Sequence, residues 1–189
     1  VEERIAEKFK QDFVAKVAAL KVGNPLEADT NLGALVSKPH LEKVLNYINI
    51  ARSEGGNILF GGEQVKVKDH EDGYYLQPTV IAVANNQCRI QQEEVFGPVV
   101  TIVTFEDEAE ALQMANDVKY GLSATIWTND LNRTMRLSKQ LDAGIVWVNT
   151  WLNRDLRTPF GGMKDSGVGR EGGFEALRFF TEPKNVCIS

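Results

Sequence analysis

In the opening stretch VEERIAEKFKQDFVAKVAALKVG the apolar residues Ile5, Phe9, Phe13, Val17 and Leu20 recur every three or four positions. That spacing stacks them on one face of a helix. The pattern begins in mid-helix without an initiating methionine, so its apolar face calls for either a sheet of this chain or a segment upstream. Gly23-Asn-Pro25 ends the helix, and Ser37-Lys-Pro-His opens a second one with Leu41, Val44, Leu45 and Ile48 on one stripe, stopped by Gly55-Gly56. Asn57–Phe60 and the longer 74–84 segment predict strands joined by a polar turn over 66–73, and VFGPVVTIVTF at 95–105 predicts a buried strand behind a Gly-Pro entry. A regular alternation follows: helix 107–119, strand 122–127, helix 130–141 and strand 145–148. After these come a glycine-rich loop at 161–173, a short helix at 174–180 and a strand-like end at 184–189. Strands alternating with helices predict an α/β fold: an open, largely parallel twisted sheet with helices on both faces.

Composition narrows the functional classes. A chain of 189 residues that is 43% hydrophobic has enough apolar material for one full core, and no linker, repeat or low-complexity segment divides it. The net charge of −5 supplies no general attraction for nucleic acid or an anionic membrane surface, so no nucleic-acid partner and no membrane partner is expected, and any anion site must be local. No stretch is long and apolar enough for a membrane span. Two cysteines far apart, Cys88 and Cys187, suit a reducing, cytoplasmic setting rather than a disulfide scaffold. His40 and His70 have no partners at metal-ligand spacing, and no metal is expected.

One local anion site stands out. The strand IVWV runs into NTWLNRDLRTPFGG, where Arg154 and Arg157 lie among Trp151, Pro159 and Phe160. Loops after the strands of an α/β sheet collect ligands, because side chains of neighbouring strands converge there. A guanidinium fork grips a carboxylate in two parallel hydrogen bonds while aromatic rings cover an apolar body. The alternative is a pair of solvated arginines, common on surfaces and of little energetic weight.

A second candidate is EEVFGP at 93–98, where a carboxylate could bind vicinal ribose hydroxyls and a ring could face a planar base. A solvated strand end is the plainer reading. Gly167-Val-Gly-Arg-Glu-Gly172 matches the dinucleotide fingerprint letter by letter, yet no strand enters it and too little chain follows for a βαβ unit. Its glycines fit a loop packed closely on a neighbouring layer.

EEVFGPV, YGLSATIWT, AGIVWVNT and PFGGMKDSGVGRE occur in that order, and together they resemble the carboxyl-terminal part of the NAD-dependent aldehyde dehydrogenases over essentially the whole chain. The resemblance implies that 1–183 is a portion of the catalytic domain, that 184–189 is an oligomerisation strand, and that the NAD-binding domain belongs upstream. It also implies that the nucleophilic cysteine precedes the first helix; Cys88 and Cys187 match neither its place nor its surroundings, so this segment alone is expected to be inactive.

By the same resemblance Glu94 holds the nicotinamide ribose, Phe96 packs by the nicotinamide, and Phe160 is an aromatic wall of the aldehyde pocket. NTWLNRDLRTPFGG is most similar to the branch acting on 2-hydroxymuconic or 2-aminomuconic semialdehyde, small-molecule aldehydes with a distal carboxylate. Arg154 is the first choice for that carboxylate, Trp151 and Phe160 enclose the conjugated chain, and Arg157 either assists or pairs with Asp155. The implied reaction is oxidation of the aldehyde to a carboxylate with NAD through a cysteine thioester, in a homo-oligomer. A non-catalytic assembly module on the same fold is the other reading.

Overall fold

Val80 and Ile81, adjacent on one strand, are both fully buried but in different clusters, which places helices on opposite faces of a sheet. The computed structural model describes all of residues 1–189, divided into two compact units, 1–110 and 111–189. In the first unit α1 (Glu3–Ala18) packs Phe13, Val14 and Val17 with Val80 and Ile102, and α2 (Lys38–Ser53) packs Leu41, Val44, Ile48 and Ala51 with Leu76, Ile81 and Ile90. Burying a side chain the size of Ile48 contributes about 1.5–3 kcal/mol. The sheet between these helices has the order β1–β4–β5, from β1 (Asn57–Phe60), β4 (Thr79–Ala82) and β5 (Val99–Ile102). The β4–β5 ladder is parallel and the β1–β4 ladder antiparallel.

The first helix finds its apolar partner within the chain, but through a narrower stripe than its spacing predicts. Ala6 and Val17 are buried, whereas Ile5, Phe9 and Leu20 stay exposed. The start of α2 is capped by the Ser37 hydroxyl, which accepts from the His40 N–H at 3.3 Å. The expected strand over 74–84 is cut in two at Pro78, which has no N–H for a ladder. Its first half, β3 (Tyr75–Leu76), pairs with β2 (Gln64–Val65), and its second half is β4. The expected strand over 95–105 shrinks to β5, because Phe96 has φ +56° and Pro98 follows. Between them lies α3 (Arg89–Gln92).

The helix α4 (Glu108–Asn116) straddles the division between units. In the second unit β7 (Ser123–Ile126), α5 (Leu131–Gln140) and β8 (Ile145–Val148) form a crossover with β7 and β8 parallel. The helix is capped by Asp130, whose carboxylate accepts from the Arg133 N–H at 3.0 Å. A small antiparallel ladder joins β6 (Tyr120–Gly121) to β9 (Met163–Lys164), and α6 (Gly173–Phe180) follows.

One expectation needs correction. In place of one largely parallel sheet, the chain carries four small ones, with parallel ladders only at β4–β5 and β7–β8. The apolar strands are only four residues long, and Pro78, Pro98 and the positive φ of Phe96 interrupt what an unbroken apolar run suggests. The strand expected at 184–189 is not formed in the single chain, where 181–189 is exposed and without regular structure. A strand needs an edge to pair with, and Val186 and Ile188 have none here.

Candidate functional site

The turn between α3 and β5 separates its two carboxylates. Glu93 ends α3 and receives three bonds: Tyr47 Oη donates to its Oε2 at 2.7 Å, and Arg89 grips both oxygens at 2.9 Å through Nε and Nη2. The same bonds raise the Arg89 guanidinium above its ordinary pKa, the side-chain hydrogen bond to Glu93 being the main cause. Glu94 is exposed, and its carboxylate makes no hydrogen bond or ion pair; only its backbone oxygen is held, by Lys43 Nζ at 3.1 Å. Phe96 is 74% exposed. Its carbonyl lies 2.7 Å from His40 Nε2, and the two rings meet edge to face with centroids 6.0 Å apart. The first turn and a half of α2 therefore braces Glu94 and Phe96 through their main chain and leaves both side chains open. A free carboxylate beside an open ring fits a sugar diol next to a planar base.

In the second unit the loop after β8 is built on Asn149, at φ +52°. Its amide bonds the Thr128 backbone twice, Oδ1 accepting from N at 2.9 Å and Nδ2 donating to O at 2.8 Å, so the ends of β7 and β8 are tied together. Trp151 stands edge to face against Trp147 with centroids 4.9 Å apart, and Trp147 Nε1 donates to the Asn153 carbonyl at 2.9 Å. The Arg154 guanidinium lies 4.0 Å over the Phe160 ring, a cation–π contact, and its Nη2 reaches Glu171 Oε1 at 2.6 Å. Its Nε is buried without a hydrogen-bond partner. Arg157 is turned to Asp155, with Nη2 2.5 Å from Oδ2 and Nε within 3.1 Å of both oxygens.

Of the residues that the sequence singles out in this loop, Arg154 and Phe160 are therefore stacked together, Trp151 joins Trp147, and Arg157 is occupied by its neighbour. Sequence reasoning missed Glu171, although it sits inside the fingerprint-like GREG; it also missed the supports His40, Lys43, Tyr47 and Asn149. No group of three His, Cys, Asp or Glu side chains is placed to hold a metal ion. Two open clefts of about 510 Å³ lie elsewhere, one around Lys21, Phe60 and Gln77 and one around Met135 and Arg136. Glu94, Phe96, Trp151 and Arg157 are exposed, and Arg154 and Phe160 are half-buried. Cys88 is half-buried at the start of α3, and burial pushes its thiol above the ordinary range.

Comparison with known proteins gives these loops a context. The aldehyde dehydrogenase family model matches residues 1–186. A 2-aminomuconic 6-semialdehyde dehydrogenase of a Pseudomonas species is 47% identical over 189 residues, covering 100% of this chain and 38% of that protein. The 2-aminomuconic semialdehyde dehydrogenase of Bos taurus is 45% identical over 191 residues and is covered to 39%. A crystal structure of betaine aldehyde dehydrogenase from Staphylococcus aureus in complex with NAD+ superimposes with a TM-score of 0.91 at 40% identity, over 95% of this chain and 36% of that one. The chain thus spans under two-fifths of the length of these relatives, and it belongs to the aldehyde dehydrogenase family.

Proposed function

We propose that this segment serves a longer enzyme that oxidises a carboxylate-bearing semialdehyde, of the 2-aminomuconic or 2-hydroxymuconic type, to the dicarboxylate with NAD. The observation that carries the substrate class is Arg154: a guanidinium laid on the face of Phe160, with one nitrogen on Glu171 and donors left over. A planar, conjugated acid needs a ring face for its body and a fork for its carboxylate. The relatives named for 2-aminomuconic semialdehyde support the same class.

In this reading residues 1–183 are a portion of the catalytic domain, with the NAD-binding domain and the nucleophilic cysteine upstream. The upstream cysteine thiolate adds to the aldehyde carbon, a bound dinucleotide would supply the acceptor for the hydride that the resulting thiohemiacetal carbon loses, and water then releases the acid and the thiol from the thioester. Glu94 accepts hydrogen bonds from the ribose hydroxyls, and Phe96 limits the tilt of the neighbouring ring. Trp151 and Phe160 flank the carbon chain, and Arg154 holds the distal carboxylate so that the aldehyde end faces the nucleophile. Arg157 remains with Asp155. The end segment 184–189 becomes a strand by adding to a partner subunit's sheet, which gives its exposed Val186 and Ile188 a place to pack.

The test is kcat/KM of the full-length protein on carboxylate-bearing semialdehydes and on neutral aldehydes of similar length, before and after Arg154→Ala. A charge-assisted grip that is partly screened is worth about 1.5–3 kcal/mol, so the preference for the anionic substrate should fall roughly ten- to a hundredfold. An equal loss on both substrates assigns Arg154 to loop structure. The isolated segment should produce no NADH from any aldehyde, and turnover that is lost when Cys88 and Cys187 are replaced would place the nucleophile in this segment instead of the upstream part.

A further inference from the structure

Glu171 touches two of the proposed substrate-binding groups, Phe160 and Arg154, in two different ways. Its main chain pairs with Phe160 as an antiparallel bridge, Phe160 N donating to Glu171 O at 2.8 Å and Glu171 N to Phe160 O at 2.7 Å. Its side chain holds Arg154 Nη2 at 2.6 Å. The residue that fixes the backbone under the aromatic wall thus also fixes the cation lying on that wall.

The surrounding chain makes this placement rigid. Gly172 has φ +88°, and a Cβ there would lie 2.3 Å from the Thr158 carbonyl, so the chain leaving Glu171 for α6 passes directly against the Arg-containing loop. On the other side Arg170 Nη1 donates to the Gly162 carbonyl at 3.0 Å and to the Gly169 carbonyl at 2.7 Å. The segment that resembles a nucleotide-binding glycine loop is instead a clasp closed over residues 154–162.

We infer that Glu171 is a positioning residue for substrate selection: it orients Arg154 on Phe160 and thereby sets the preference for substrates with a distal carboxylate. This rests on the proposed role of Arg154. A free arginine side chain samples many rotamers, and ordering it on substrate binding weakens the grip. Glu171 removes that disorder beforehand, and it does so through Nη2 alone, so Nη1 stays uncommitted for a ligand. Its negative charge opposes an incoming carboxylate, but at 59% exposure water screens that repulsion. Ordering therefore outweighs charge: an acceptor is needed at position 171, and a negative one is not.

The experiment uses the full-length protein with Arg154→Ala, Glu171→Ala and Glu171→Gln. It reads the ratio of kcat/KM for a carboxylate-bearing semialdehyde to that for a neutral aldehyde, KM and kcat separately, the inhibition constant of an unreactive dicarboxylate, and the melting temperature. Glu171→Ala should lower the ratio about tenfold, chiefly through KM, and weaken the dicarboxylate by a similar factor. Glu171→Gln should stay within about twofold of wild type, because its amide oxygen still accepts from Nη2. If the alanine variant does not fold, Glu171→Asp, which keeps the charge but shortens the reach, takes its place. A ratio unchanged in the loosened variant while Arg154→Ala lowers it overturns the inference, as does a glutamine variant that falls as far as the alanine one. A ratio unchanged in Arg154→Ala removes the underlying reading instead.

Discussion

Arg157 closes on Asp155, two residues before it, through both its side chain and its own backbone N–H, which donates to Oδ1 at 2.9 Å. Together these bonds hold the Asp155 carboxyl below its ordinary pKa, the side-chain bond being the larger cause. A depressed carboxyl contributes stability that is present above its unfolded pKa and lost as pH falls through the folded value. Both partners are exposed, so the stability involved is small. Arg157→Ala should therefore raise the Asp155 titration midpoint, followed by NMR on carbon-labelled aspartate, and leave the anionic-to-neutral substrate ratio nearly unchanged. A selective loss on anionic substrates would make Arg157 the gripping residue.

Cys88 should behave as a protonated, slow thiol. Burial raises its pKa first of all, and the nearby Glu54 carboxylate adds to the shift. The folded state then binds a proton that the unfolded state releases, so this group's contribution is complete below the unfolded thiol pKa and fades as pH rises through the folded one. Alkylation of Cys88 should be slow at neutral pH and climb only above the pH range in which an ordinary thiol ionises, whereas the exposed Cys187 should react first. Peptide mapping over a pH series resolves the two; fast labelling of Cys88 at neutral pH would show an activated thiol and reopen its chemistry.

Gly144 is irreplaceable for a reason of space. A Cβ at this position would fall 1.6 Å from the Gly161 carbonyl oxygen, a backbone atom that no side-chain rotation can move aside. Gly144→Ala should destabilise the second unit by about 3 kcal/mol or more, comparable with the larger core substitutions, and displace the Phe160 loop at the same time. Hydrogen exchange at residues 145–148 and 160–162 should quicken in the variant. Protection equal to wild type would show that the loop relaxes freely.

How far such features could be read from the chain depends on the range of the contact. The helices and strand positions follow from periodicity, and the Asp130 and Ser37 caps lie within three residues of what they cap. The Arg157–Asp155 pair is equally local. The strand ends depart from the hydrophobic pattern where φ matters more than hydrophobicity: Val95 and Phe96 look like strand residues, but a positive φ at Phe96 ends the run. The Arg154–Glu171 contact spans 17 positions and the Tyr47–Glu93 contact spans 46. Only the folded chain makes those neighbours. GREG misleads for a similar reason, since its glycines serve close packing rather than a phosphate, and the same letters satisfy both needs.

The adjacent carboxylates Glu93 and Glu94 supply the sharpest contrast. Glu93 accepts from Tyr47 and from both arms of Arg89, so Glu93→Gln should lose charge-assisted bonds and lower stability by about 1 kcal/mol, its partial exposure keeping the figure modest. Tyr47→Phe should cost a similar amount, and the double variant less than the sum, because both changes break one bond. Glu94 has no side-chain partner to lose in the folded chain. Glu94→Gln should leave the melting temperature of the full-length protein unchanged while weakening NAD about tenfold, because the amide offers ribose hydroxyls one neutral acceptor in place of an ionised pair. Calorimetric titration with the dinucleotide, beside thermal melts of all four variants, separates the two roles. If Glu94→Gln melts early and binds NAD as tightly as wild type, its carboxylate belongs to the fold; if Glu93→Gln is the variant that loses the dinucleotide, the ribose contact is one residue earlier than proposed.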